Sequence, residues 1–197
     1  MTHENLAKIA AYAHKDTRTR LYLVRHGESL WNTQQRLTGW SDIDLSERGK
    51  AQADALAPLL QNLDFHSVWT SPLRRAKETA ERAWRGAFTV DERIKEFNFG
   101  VFEGKPLHEI SADYLALLKN FESFAPEGGE SGQRFYDRVD QFCDHLAPGQ
   151  HLVFTHGGVI KRVLEHTGVR RFVSNAGVTI VDWSEKQLVD EIKNPLA

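Results

Sequence analysis

One cysteine, Cys143, occurs in the 197 residues. An intrachain disulfide is therefore impossible, a thiolate metal cluster is not expected, and a reducing compartment fits. Long apolar runs are missing too. No segment reaches the apolar length that spans a membrane, and the opening MTHENLAKIAAYAHKDTRTR lacks the apolar core of a secretory signal. The expected location is the cytoplasm. Nor is there an excess of one charge: 25 Lys and Arg face 27 Asp and Glu, for a formal charge of −2. The basic surplus typical of nucleic-acid binders is absent. There is no internal repeat, no low-complexity tract and no HExxH-type pairing of metal ligands.

What is present suits a soluble globular chain, with 41% hydrophobic and 26% charged residues. The length predicts one domain large enough to bury a proper core. We place that domain at residues 21–197 and treat residues 1–20 as an extension, with a short helix over 5–15 carrying Leu6, Ile9 and Ala13 on one face.

Four apolar residues in Leu21–Arg25 read as a strand covered on both faces. Ser67–Thr70, Phe88–Asp91 and His151–Thr155 are further strand candidates, and Val178–Trp183 with Gln187–Ile192 reads as a closing hairpin. Ser46 is placed as a helix N-cap, and Pro58 predicts that the helix after it bends or restarts. Ser71 reads as a second N-cap with Pro72 at the first helical position. Residues 106–122 carry a helical apolar stripe, the next helix carries Phe135, Val139, Phe142, Cys143 and Leu146 on one stripe, and a helix over Val159–Thr167 follows the fourth strand. Alternation of strands and helices predicts an α/β three-layer sandwich, a mainly parallel sheet with helices on both faces. In such sheets ligands sit beyond the carboxyl ends of the strands.

Several of these ends carry chemistry. The first strand ends in Arg25-His26-Gly27, the second runs into SPLRR, the fourth ends in THGG, and the third leads on to Glu96. Each alone has an ordinary reading, as a structural histidine, a solvated arginine or a turn glycine. Together they supply two imidazoles, at least two guanidiniums and a carboxyl group, which suits a transferring phosphoryl group. Arginine pairs its planar fork with phosphate oxygens. A helix starting at Gly157-Gly158 points free N–H groups at an anion, and neutral imidazole is a competent nucleophile.

RHGESLWN, LTGW, DLSERGKAQA, SPLRRAKETA, EFNFGVFEG and THGGVI, in that order, resemble the histidine phosphatase superfamily, also called phosphoglycerate-mutase-like, over roughly residues 21–167. The resemblance implies that His26 is the nucleophile that takes up the phosphoryl group, that Arg25 and Arg75 bind phosphate, and that His156 is a second pocket histidine donating to it. It assigns Arg75 rather than Arg74, which the helical pattern alone leaves undecided. It further implies Glu96 as general acid, Asn32 and Gly157 as phosphate contacts, and Thr38 and Gly39 as part of a loop that meets substrate. No metal and no cofactor are implied, and the partner is a small phosphorylated substrate.

The superfamily contains hydrolases and mutases. A mutase handling a bisphosphate needs a second anion site. Between Glu103 and Glu130 the cations are Lys105 and Lys119, against Glu109, Asp113, Glu122 and Glu127. FGVFEG followed by PEGGES also resembles the phosphatase branch. The expected activity is metal-independent phosphomonoester hydrolysis through phosphohistidine. The alternatives are a phosphoglycerate mutase, a protein phosphohistidine phosphatase and an inactive binding module. Trp31, Trp40, Phe97, Phe99 and Phe102 are candidates for an apolar substrate wall, with core packing the competing reading.

Overall fold

The apolar run before Arg25 forms the centre of a six-stranded sheet, in a computed structural model that describes residues 17–117 and 121–196. The helix read over residues 5–15 lies outside the described residues. The strands are β1 (Thr19–Arg25), β2 (Ser67–Thr70), β3 (Thr89–Val90), β4 (Gly149–Thr155), β5 (Val178–Asp182) and β6 (Gln187–Ile192), in the order β3-β2-β4-β1-β5-β6. The first four strands of that order pair in parallel, and β5 and β6 are added antiparallel.

Side chains alternate across the sheet, as a two-residue period requires. Leu21, Leu23 and Val153 enter one core with Phe135, Val139, Phe142, Cys143, Val159 and Val163 from the helices Gly132–Asp144 and Gly157–Glu165. Tyr22, Val24, Leu152 and Phe154 enter a second core on the other face. There they meet Leu59 and Leu60 of the Ala57–Leu60 helix and Ala80 and Ala83 of the Arg74–Ala83 helix. The molecule is thus the expected α/β arrangement of helix, sheet and helix layers.

β1 and β4 are parallel neighbours whose following helices depart to opposite faces, which leaves a crevice at their carboxyl ends. Register brings Arg25 beside Thr155 and Thr70 beside Phe154. The His26 N–H donates to the Thr155 carbonyl at 3.0 Å, and the Ser71 N–H to that of Phe154 at 3.0 Å. Three strand ends therefore deliver His26, Ser71 and His156 to one place.

Ser46 caps the Glu47–Asp54 helix by accepting the Gly49 N–H, and the chain restarts as Ala57–Leu60, with Pro58 near its start. Other expectations need correction. Ser71 does not cap: the helix begins at Arg74 after Leu73, which has no side-chain cap bond. The stretch over 106–122 is broken, with single turns at Leu107–Glu109 and Phe121–Ser123 around the helix Ala112–Leu117. The last helix starts at Gly157, as its role toward an anion requires and two residues before the Val159 start of the apolar pattern, because His156 has the extended backbone of an N-cap position.

Phe97 anchors the segment that carries Glu96. Its ring is fully buried, with centroids 4.7 Å from Phe121, 5.0 Å from Phe99, 5.3 Å from Phe135 and 5.5 Å from Phe124. Phe97→Ala should lower the unfolding free energy by about 3–5 kcal/mol, read by urea denaturation; a loss well under this would show that the aromatic cluster does not hold this segment.

Candidate active site

His26 is buried just past β1. Its Nδ1 lies 2.7 Å from the Gly27 carbonyl, so Nδ1 carries the proton and Nε2 holds the lone pair. Arg75 meets that nitrogen from the other side, its Nε–H 3.3 Å from Nε2. Burial lowers the His26 pKa well below the usual imidazole value, and the charges of Arg75 and Arg25 add to the effect, against a smaller raising effect from the Gly27 bond. The ring is neutral at physiological pH.

Arg75 is fully buried, whereas Arg74 is exposed and pairs with Asp42 and Asp44. Buried Arg75 bonds no carboxylate: its remaining nitrogens donate to the carbonyls of Ser41 at 3.0 Å and Gly39 at 2.7 Å. Desolvation lowers its pKa to about 10, so it stays charged. Arg25 is half-buried, donates through Nη1 to the Val173 carbonyl at 2.5 Å, and has a buried Nε without a partner among the described residues. Burial lowers its pKa as well, opposed by the nearby charge of Glu96.

His156 is wholly buried, with its ring centroid 5.3 Å from that of His26. Asn32 sits in a capping box with Ser29. Its Oδ1 accepts from the Ser29 N–H at 3.0 Å and from the Asn175 amide at 3.2 Å, which turns its own amide N–H groups outward.

Glu96 rests on the start of the Gly157–Glu165 helix. Its carboxylate accepts the Gly158 N–H at 3.1 and 3.2 Å and the Phe97 N–H at 2.9 Å. A Cβ on Gly158 would lie 2.2 Å from Glu96 Oε1, so this seat requires glycine there.

Arg25, His26, Asn32, Thr38, Gly39, Arg75, Glu96 and Gly157 all line one cavity of about 520 Å³, and His156 stands behind it. Away from these groups the wall is Leu37, Leu107, Leu115, Phe99, Phe121 and Phe172, with Arg36 as the further cation. Of the aromatic candidates, only Phe99 lines the cavity; Phe97 is core, and Trp31, Trp40 and Phe102 are not part of the wall. The Trp40 indole instead donates to the Glu96 carbonyl at 2.6 Å.

Several supporting residues escape a reading of the sequence. Glu103 accepts the N–H groups of Trp40, Ser41 and Phe99 and the Ser41 hydroxyl, so it holds the loop whose carbonyls grip Arg75. Gly39 has φ +59°, and a Cβ there would meet the Glu103 carboxylate at 2.1 Å. Arg138 donates to the carbonyls of Arg93, Lys95 and Glu96 while paired with Glu130. Glu103 falls within a quoted motif, yet nothing local in the sequence signals these contacts.

Comparison with known proteins bears on the family and the fold. The family model of the histidine phosphatase superfamily (branch 1) matches residues 21–193. "Probable phosphoglycerate mutase GpmB" of Yersinia pestis (strain Pestoides F) is 30% identical over 183 residues, covering 84% of this chain and 85% of that protein. Among solved structures, TTHB049 from Thermus thermophilus is 36% identical with a TM-score of 0.82, over 88% of this chain and 99% of that one. An Escherichia coli K-12 protein provisionally named an alpha-ribazole-5'-P phosphatase is 26% identical with a TM-score of 0.76, over 91% of this chain and 98% of that one. With the family model spanning nearly all of the sheet and the strand ends that meet at the cavity, the chain belongs to the histidine phosphatase superfamily, branch 1.

Proposed function

We propose that the protein is a phosphomonoesterase that works through a phosphohistidine on His26 and acts on a small phosphorylated metabolite. One observation carries this reading: a neutral, oriented imidazole stands among guanidiniums that lack carboxylate partners, at the end of a cavity whose remaining wall is largely apolar.

In the first step His26 Nε2 forms a bond to phosphorus as the bond to the ester oxygen breaks. Arg25, Arg75, Asn32, His156 and the Gly157 backbone hold the phosphoryl oxygens, so catalysis is chiefly positioning and charge stabilisation. Glu96, protonated, gives its proton to the departing alkoxide. In the second step Glu96, now a carboxylate, takes a proton from water as the water oxygen attacks phosphorus and His26 is released. Thr38 and Gly39, which line the cavity, meet the rest of the substrate in this reading. Gly39 also acts through its carbonyl, which orients Arg75. The guanidiniums supply the positive charge that a metal ion supplies in other phosphoryl-transfer sites.

The apolar wall favours a hydrolase. A second phosphate or a carboxylate on the substrate needs cations beyond the first anion site. The further cation of the lining, Arg36, already donates through Nη1 to the Gly104 carbonyl at 2.6 Å. The mutase reading keeps support from the GpmB relatives, and the same cavity would serve it if Arg36 turned to a second anion.

With p-nitrophenyl phosphate the protein should release phosphate at an unchanged rate in EDTA, and His26→Ala should abolish release. With 3-phosphoglycerate and catalytic 2,3-bisphosphoglycerate, release of phosphate should exceed formation of 2-phosphoglycerate; faster isomerisation would replace the hydrolase reading with the mutase. Glu96→Gln should slow single-turnover formation of the phosphoenzyme from alkyl phosphates by ~10²–10⁴-fold and from p-nitrophenyl phosphate far less, because nitrophenolate departs without a proton. Equal losses in this step on both substrates would remove Glu96 from the general-acid role.

A further inference from the structure

The two ring nitrogens of His156 have unlike surroundings. Nε2 lies 2.7 Å from the Ser71 hydroxyl, while Nδ1 is buried without a partner among the described residues. A neutral imidazole carries one N–H, and the group facing one nitrogen decides whether the proton sits there or on the other. His156 is in that situation. Burial first, then the charges of Arg75, His26, Arg138 and Arg25, push its pKa well below the usual imidazole value.

Ser71 is fully buried as well. Its oxygen accepts the Leu73 N–H at 3.4 Å, and the acceptor within reach of its own O–H is His156 Nε2. A buried hydroxyl in a native structure donates to an acceptor rather than leaving its proton unpaired. The Ser71 O–H therefore points at Nε2, which must hold a lone pair, and the ring proton is left on Nδ1.

We propose that Ser71 is a positioning residue that locks His156 as the Nδ1–H tautomer, so that an otherwise unpartnered N–H is offered to phosphoryl oxygens beside His26. The opposite tautomer would turn a lone pair toward the anion and repel it. The consequence for phosphate binding rests on the phosphoryl-transfer reading above; the tautomer itself does not.

Two-bond proton–nitrogen correlation spectra of the full chain, labelled with ¹⁵N-histidine and assigned with His156→Gln, read the tautomer directly. Wild-type His156 should give the Nδ1–H pattern, and Ser71→Ala should move the ring to Nε2–H or to exchange between the two forms. Inorganic phosphate, titrated in the same samples, should bind Ser71→Ala roughly tenfold or more weakly. In a His156→Ala background Ser71→Ala should leave kcat/KM nearly unchanged, which a general structural role for Ser71 would not allow. A wild-type ring in the Nε2–H form, or an unchanged tautomer in Ser71→Ala, would overturn the proposal. The wild-type spectrum decides even if Ser71→Ala fails to fold. An Nδ1–H ring in a protein that hydrolyses no phosphomonoester would instead leave the Ser71 assignment intact and refute the enzymatic reading.

Discussion

Arg75 is fully buried, and every hydrogen bond it makes goes to a backbone carbonyl or to the neutral imidazole of His26. Burying an ion carries a desolvation penalty of several kcal/mol, which a carboxylate partner ordinarily offsets. Here the loop carbonyls of Gly39 and Ser41 offset it in part, and the charge remains available to an anion. Arg25 follows the same rule through the Val173 carbonyl. The site is a positive, desolvated pocket built before any anion arrives, which is the condition under which electrostatic stabilisation of a phosphoryl group is largest.

Much of the surrounding structure serves that condition. Glu103 binds the N–H groups of the loop that holds Arg75, and Gly39 has no side chain to obstruct it. Arg138 gathers three carbonyls of the segment leading to Glu96, and the Phe97 cluster pins the same segment from below. Asn175 donates to the His26 carbonyl and to Asn32 Oδ1, which ties the β5 approach to the phosphate side of the cavity. Burial first, and then the charges of Arg75 and Arg25, keep His26 unprotonated, so one arrangement produces both the anion site and a neutral nucleophile.

The sheet is legible in the sequence because its information is local. The bounds of β2 match the alternation in SVWT, those of β6 match the second arm of the expected hairpin, and the tandem buried residues of LYLV divide between two cores as a covered strand must. The strand-end rule then points to Arg25, His26, Glu96 and His156, which lie on one cavity or directly behind it. The choice of Arg75 over Arg74 is not local, because both lie off the apolar face, and only the tertiary position buries one and exposes the other. The capping expectation for Ser71 fails because the helix begins three residues on, at Arg74 after the extended Leu73. Ser-Pro before a helical pattern is a good capping signal, but it does not show where the chain turns into the helix. Glu103 and Arg138 act on backbone groups that carry no side-chain signature, so no pattern in the sequence points to them.

The central claim is that His26 is the group to which phosphorus is transferred. Rapid mixing with a phosphomonoester, an alkaline quench and peptide mass spectrometry test it most directly. The account predicts an acid-labile, base-stable phosphoryl group on the peptide containing His26, formed within one turnover and lost as phosphate is released. Turnover with no phosphorylated peptide, or with the label on any other residue, would contradict it.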